Sequence, residues 1–139
     1  AGNGVPSNGV AFLSTNDLDK ENLEYIAREL LILGFKLNAT KGTAAYLLNL
    51  GIQVDEVLKV HEGRPNIEDL IRSGLIQLII NTPVGSQALH DDAYLRRAAI
   101  EYNIPTFTTI PGANAAIKAI KSLRINKIDT FSLQEIHNY

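Results

Sequence analysis

Short apolar runs alternate with helical periodicity about every two dozen residues, and this alternation constrains the chain more than any other feature. Val10-Ala11-Phe12-Leu13-Ser14, Gly34-Phe35-Lys36-Leu37, Val54 to Val60, Leu75 to Ile80 and Ile104 to Thr109 each read as a strand. Between them, Leu23, Ile26, Ala27 and Leu30 share one helical face, as do Ile67, Leu70 and Ile71. Leu95, Ala98, Ala99 and Tyr102, then Ala116, Ile117, Ile120 and Leu123, repeat the pattern. Gly34, Gly51 and Gly74 supply stops, and Asn66, Asp91-Asp92 and Pro111-Gly112 supply starts. Phe131 and Leu133 alternate in a possible terminal strand. Strand–helix alternation implies parallel β-α-β units with right-handed crossovers. The expected fold is α/β: a doubly wound three-layer α/β/α domain with a central parallel five-stranded sheet.

Residues 1–9 are rich in Gly, Pro and Ser without periodicity and read as a linker, leaving 10–139 as the domain. The chain starts at Ala1 and has no Met, so either the initiator is removed or this is a piece of a longer protein. The absence of Cys removes disulfides and thiolate chemistry and fits a reducing cytoplasm. A net charge of −2 offers no general attraction to nucleic acid or acidic membranes, and no apolar run reaches membrane-spanning length. Any anion site must therefore be local.

Asn38-Ala39-Thr40-Lys41-Gly42-Thr43 is the place for one. It joins the second strand to a helix carrying Ala44, Leu47 and Leu48, so free backbone N–H groups sit beside two hydroxyls, an ammonium group and a glycine. The same residues can also be read as a cap, with Thr40 or Thr43 closing the helix and Lys41 solvated. Ligands of parallel sheets bind beyond the carboxyl ends of the strands. Those ends carry Ser14, Thr40 to Thr43, Lys59, Asn81-Thr82 and Thr108, a clustering that favours the anion seat. Lys20 falls in the first turn of helix one, where the dipole disfavours a cation. It either pairs with Asp17 or Glu24, or reaches over the strand ends towards a bound anion. The chain has no dinucleotide fingerprint and no P-loop, and His61, His90 and His137 lack metal-site spacing. Glu62 and Asp69 follow a strand end but suit capping or salt bridges better than general-base work.

His61-Glu62-Gly63-Arg64-Pro65-Asn66-Ile67, Ile79-Ile80-Asn81-Thr82 and Ala39-Thr40-Lys41-Gly42-Thr43 together resemble the C-terminal allosteric domain of bacterial carbamoyl-phosphate synthetase large subunits. That domain has the methylglyoxal-synthase-like fold, and the likeness runs from about Gly9 to His137. The resemblance implies a parent ligase whose other domains use ATP with Mg or Mn to make carbamoyl phosphate from bicarbonate and glutamine-derived ammonia, for pyrimidine and arginine synthesis. It implies a non-catalytic terminal domain, without a cofactor of its own, that binds a nucleoside monophosphate effector of the UMP or IMP type. It also implies partnership with the remaining large-subunit domains, with the glutaminase small subunit and with further copies of the chain. Nucleotide contacts carried over from the family fall on Lys20, Thr40, Thr43, Lys59, Asn81 and Thr82, with Lys41 and Gly42 in the same turn. A family threonine two positions after the Asn is Pro83 here. At the ornithine border Thr108 matches, whereas a family tyrosine is replaced by Thr106. Two enzymes share the fold. A stand-alone methylglyoxal synthase would need a G-G-D-x-Q-type segment where this chain has Glu62-Gly63-Arg64-Pro65-Asn66, and the purine cyclohydrolase would need a lysine-rich segment that has no counterpart.

Overall fold

The structure is a computed structural model that describes residues 8–82 and 93–137, with side chains as far as residue 125. Strands β1 (Gly9–Thr15), β2 (Phe35–Ala39), β3 (Asp55–Glu56), β4 (Leu78–Thr82) and β5 (Thr106–Phe107) form one sheet in the order β3-β2-β1-β4-β5. Every pairing is parallel. The helices are α1 (Lys20–Ile32), α2 (Lys41–Asn49), α3 (Ile67–Arg72), α4 (Ala93–Glu101) and α5 (Ile110–His137). The chain winds outward from β1 to β3, then returns past β1 to β4, so strand order reverses between β1 and β4. In open α/β sheets that reversal leaves a crevice at the carboxyl ends.

Both faces of the sheet are covered, which is why its central strands are apolar at consecutive positions. Leu13 and Ile80 pack with Leu23, Ile26, Ala27 and Leu30 of α1, Ala44 and Leu47 of α2, and Ala113, Ile117 and Ile120 of α5. Phe12 and Ile79 face the other way, towards Ile67 and Ile71 of α3 and Leu95, Ala98 and Ala99 of α4. The four α1 residues are fully buried at the spacing read from the sequence, and truncating one such leucine to Ala typically costs about 2–5 kcal/mol. Gly34 at φ 98° closes α1, a conformation that a Cβ would strain.

Three strand boundaries differ from the sequence expectation. The third strand is Asp55–Glu56 rather than Val54 to Val60. Val57 N–H still bonds Ala39 O at 2.8 Å, but Leu58 then bridges to Asn66, and Val60–Glu62 turns into a short 3-10 helix. The fourth strand is shifted from Leu75–Ile80 to Leu78–Thr82, because Leu75 N–H is spent on Leu70 O at the end of α3. The fifth is Thr106–Phe107 rather than Ile104 to Thr109, since Ile104 N–H bonds back to Ala99 O. The terminal strand expected at Phe131 and Leu133 is absent: the backbone there continues α5 to His137. The Asp91-Asp92 helix start, Pro83, His90 and most of the 1–9 linker lie outside the described residues, although Gly9 belongs to β1.

Candidate functional site

The register of the sheet sets a polar row across its carboxyl edge. Leu13 pairs with Ala39 and Ile80 with Phe107, an apolar row; one residue further on, Ser14 pairs with Asn81, the Thr40 hydroxyl lies beside that of Ser14, and Thr108 follows the last residue of β5. At 4.7–4.9 Å between strands, these four groups span about 15 Å. Apolar side chains give way to polar ones within a single residue step. Thr106 lies two rows below, beside Ile79, and its hydroxyl donates to Ile104 O at 3.1 Å. It is thus separated from the row that Thr108 joins.

Thr40 is the N-cap residue of α2, yet its side chain accepts no hydrogen bond from the helix. Its hydroxyl lies instead 3.3 Å from Thr43 Oγ1 and 3.5 Å from Ser14 Oγ. Thr43 Oγ1 also accepts from Thr15 N–H at 3.1 Å, which ties the start of α2 to the end of β1. Thr40 and Thr43 are buried, while Lys41 and Gly42 are exposed. The first turn of α2 therefore keeps its N–H groups free of a Thr40 side-chain cap. The Thr15 hydroxyl oxygen beside them is buried without a partner. Uncapped N–H groups at a helix N-terminus suit an anion.

Lys20 completes this side. It pairs with Asp17, the first of the two arrangements expected for it, and Glu24 pairs with Arg28 instead. The hydrogen bond from Lys20 holds the Asp17 carboxyl below its ordinary range. The Lys20 ammonium also stands over α2, 3.7 Å from where a Cβ on Gly42 would lie. The Asp17 side chain is 92% exposed, and exposed ion pairs contribute only about 0–1 kcal/mol. A phosphate could draw the ammonium away at small cost.

Beyond β3, Lys59 sits at the mouth of the 3-10 turn, where its N–H donates to Glu62 Oε1 at 2.7 Å. Glu62 is thus engaged in capping. Asp69 is engaged twice: it accepts from Asn66 N–H at 2.9 Å and pairs with Arg64 at 2.7 Å. The Arg64 hydrogen bond, then that from Asn66, hold its carboxyl below the usual range. Neither carboxylate is poised as a base. Arg64 and Asp69 line a separate cleft of about 600 Å³ with Pro65, Arg72 and Ser73. Among the described residues no group of three His, Cys, Asp or Glu side chains could hold a metal ion, and no helix is long and apolar enough to cross a membrane.

On the far side of the reversal point, Asn81 and Thr82 are both 2% exposed. Thr82 is held by Asn16, from the turn between β1 and α1. Asn16 donates from Nδ2 to Thr82 O at 2.8 Å and to Thr82 Oγ1 at 3.1 Å, and its N–H reaches the same two oxygens. No local pattern announces this link, because the partners are 66 positions apart. Only the adjacency of β1 and β4 brings them together. Of the expected site residues, the structure brings together Lys20, Gly42, Thr40 and Thr43. It places Asn81, Thr82 and Thr108 along the same edge, with Lys59 beyond β3.

Residues 22–108 match the model of the MGS-like domain. The chain is 45% identical over 97% of its length to the carbamoyl phosphate synthase large chain of a Nostoc species. It is 47% identical over 97% to the chloroplastic arginine-specific large chain of rice. It is 46% identical over 99% to the large chain, C-terminal section, of Methanopyrus kandleri. It spans 12% of the first two relatives and 26% of the third. Among solved structures, methylglyoxal synthase from Elizabethkingia anophelis superposes with a TM-score of 0.64 at 20% identity, covering 81% of this chain and 79% of that one. At that identity the likeness is one of fold.

Proposed function

Because the chain belongs to the MGS-like domain family, we propose that it is the regulatory module of a carbamoyl phosphate synthase large chain, with a nucleoside monophosphate of the UMP or IMP type as its effector. The observation that carries the reading is the start of α2, where Thr40 occupies the cap position without capping and its hydroxyl joins those of Ser14 and Thr43. The effector phosphate sits on that turn, with Lys20 and Lys59 as counter-charges and Asn81 and Thr82 on its other flank. Charge-assisted hydrogen bonds contribute roughly 1.5–3 kcal/mol each, so a few of them bring a nucleotide into the micromolar range. Ornithine is a weaker expectation, since only Thr108 stands on the edge. ATP, its divalent metal, the glutaminase partner and the chemistry of carbamoyl phosphate synthesis belong to the rest of the assembly.

The competing reading, a lyase acting on dihydroxyacetone phosphate, rests on fold alone. The carboxylates in and just after the expected catalytic segment are committed: Glu62 to a cap, and Glu68 and Asp69 to ion pairs. Purified chain is expected to bind UMP or IMP in calorimetric titration and to form no methylglyoxal from dihydroxyacetone phosphate above the uncatalysed background. Robust methylglyoxal production would overturn the regulatory reading.

A further inference from the structure

We propose that Asn16 is a positioning residue that makes the Thr82 hydroxyl a one-way donor towards the phosphoryl oxygens of the effector. This rests on reading the carboxyl edge as a phosphate seat and adds which atom sets the polarity of its far flank. A hydroxyl has one proton and two lone pairs. Thr82 Oγ1 accepts from Asn16 N–H at 3.2 Å and from Asn16 Nδ2 at 3.1 Å, in each case sharing the proton with Thr82 O, so donors face both of its lone pairs. What remains is its proton, for which no acceptor is recorded among the described residues.

The same side chain fixes a second ligand-bearing element. Asn16 Nδ2 donates to Asp19 Oδ2 at 2.7 Å, and Asn16 Oδ1 accepts from Asp19 N–H at 2.9 Å. Asp19 is the N-cap residue of α1, and Lys20 is the first residue of that helix. One half-buried amide thus spans the reversal point, orienting a hydroxyl donor on β4 and the helix start that carries the ammonium group. Both groups complement an acceptor-only ligand atom such as a phosphoryl oxygen.

The test is a double-mutant cycle read by UMP titration of the wild-type chain, N16A, T82V and the double variant. T82V alone should weaken UMP about tenfold, the loss of one charge-assisted hydrogen bond. N16A should cost about tenfold in the wild-type background but under about threefold once Thr82 has no hydroxyl. A residue that merely stabilised the fold would give losses that multiply, and that result, or an unchanged affinity for T82V, would overturn the proposal. Should N16A not fold, N16D serves. Its carboxylate keeps the acceptor for Asp19 N–H but captures the Thr82 proton, so it should weaken UMP more than tenfold, and adding T82V should cause little further loss. Wild-type chain that binds neither UMP nor inorganic phosphate would instead remove the seat itself, a failure distinct from multiplying losses in a chain that does bind.

Discussion

The starts of α2 and α3 pose the same physical problem and solve it in opposite ways. The first follows β2 directly and the second follows β3 through the 3-10 turn, and each opens with backbone N–H groups that lack intrahelical partners. At α3 the problem is closed locally. Asn66 Oδ1 accepts from Glu68 and Asp69 N–H, the Asp69 carboxylate returns a bond to Asn66 N–H, and Arg64 neutralises Asp69. At α2 the cap residue turns its hydroxyl sideways, the first turn carries no acid, and an ammonium group hangs over the glycine. A helix start that satisfies itself is structure. One that leaves its cap hydroxyl unused by the helix, beside a cation held by an exposed acid, is the anion seat proposed above.

Two perturbations should separate the two helix starts. The larger effect is expected from Asn66→Ala, which removes a buried cap accepting two N–H groups. It should cost about 1–2 kcal/mol of stability and lower the thermal midpoint by about 3–7 °C, with UMP affinity unchanged. Loss of affinity without loss of stability would erase the contrast. A smaller effect should come from acid. Asp69 is held below its unfolded value, so its contribution is fully present above the unfolded carboxylate range and is lost as pH falls through its lowered folded value. Stability from the α3 start should therefore stay flat from pH 7 to about 5 and decline below about 4. Affinity at α2 should decline earlier, below about pH 6, as a bound phosphate monoester takes up its second proton. Midpoints and titrations across that range read both, and coincident declines would argue against separate roles.

How much of this was legible beforehand depended on the range of each interaction. The α1 stripe of Leu23, Ile26, Ala27 and Leu30 and the stop at Gly34 are local signals, and the structure reproduces them. The Asn66 start was readable because the cap and its reciprocal acid lie three residues apart. The clustering of hydroxyls at strand ends followed from topology alone: Ser14 pairs with Asn81, Thr40 lies beside Ser14, and Thr108 follows the end of β5. Strand limits were less legible. Val54 to Val60 looks like a strand by content, but Leu58 and Val60 serve a bridge and a tight turn. Leu75 is apolar yet 52% exposed, finishing α3 rather than starting β4. Phe131 and Leu133 offered too short an alternation to outweigh the helix they continue. Asn16 was the largest omission. Its role depends on Thr82, a partner that only the reversed strand order brings near.

The most direct measurement is UMP titration and thermal unfolding of Thr40→Val beside the wild-type chain. Valine preserves the shape of the side chain and removes only the hydroxyl. Because that hydroxyl does not cap α2, and its contacts with Thr43 and Ser14 are long at 3.3 and 3.5 Å, the midpoint without ligand should fall by less than about 3 °C. UMP affinity should fall about tenfold. Unchanged UMP affinity, together with a midpoint lowered by the several degrees that a lost cap costs, would show that Thr40 only closes the helix and that the anion seat lies elsewhere.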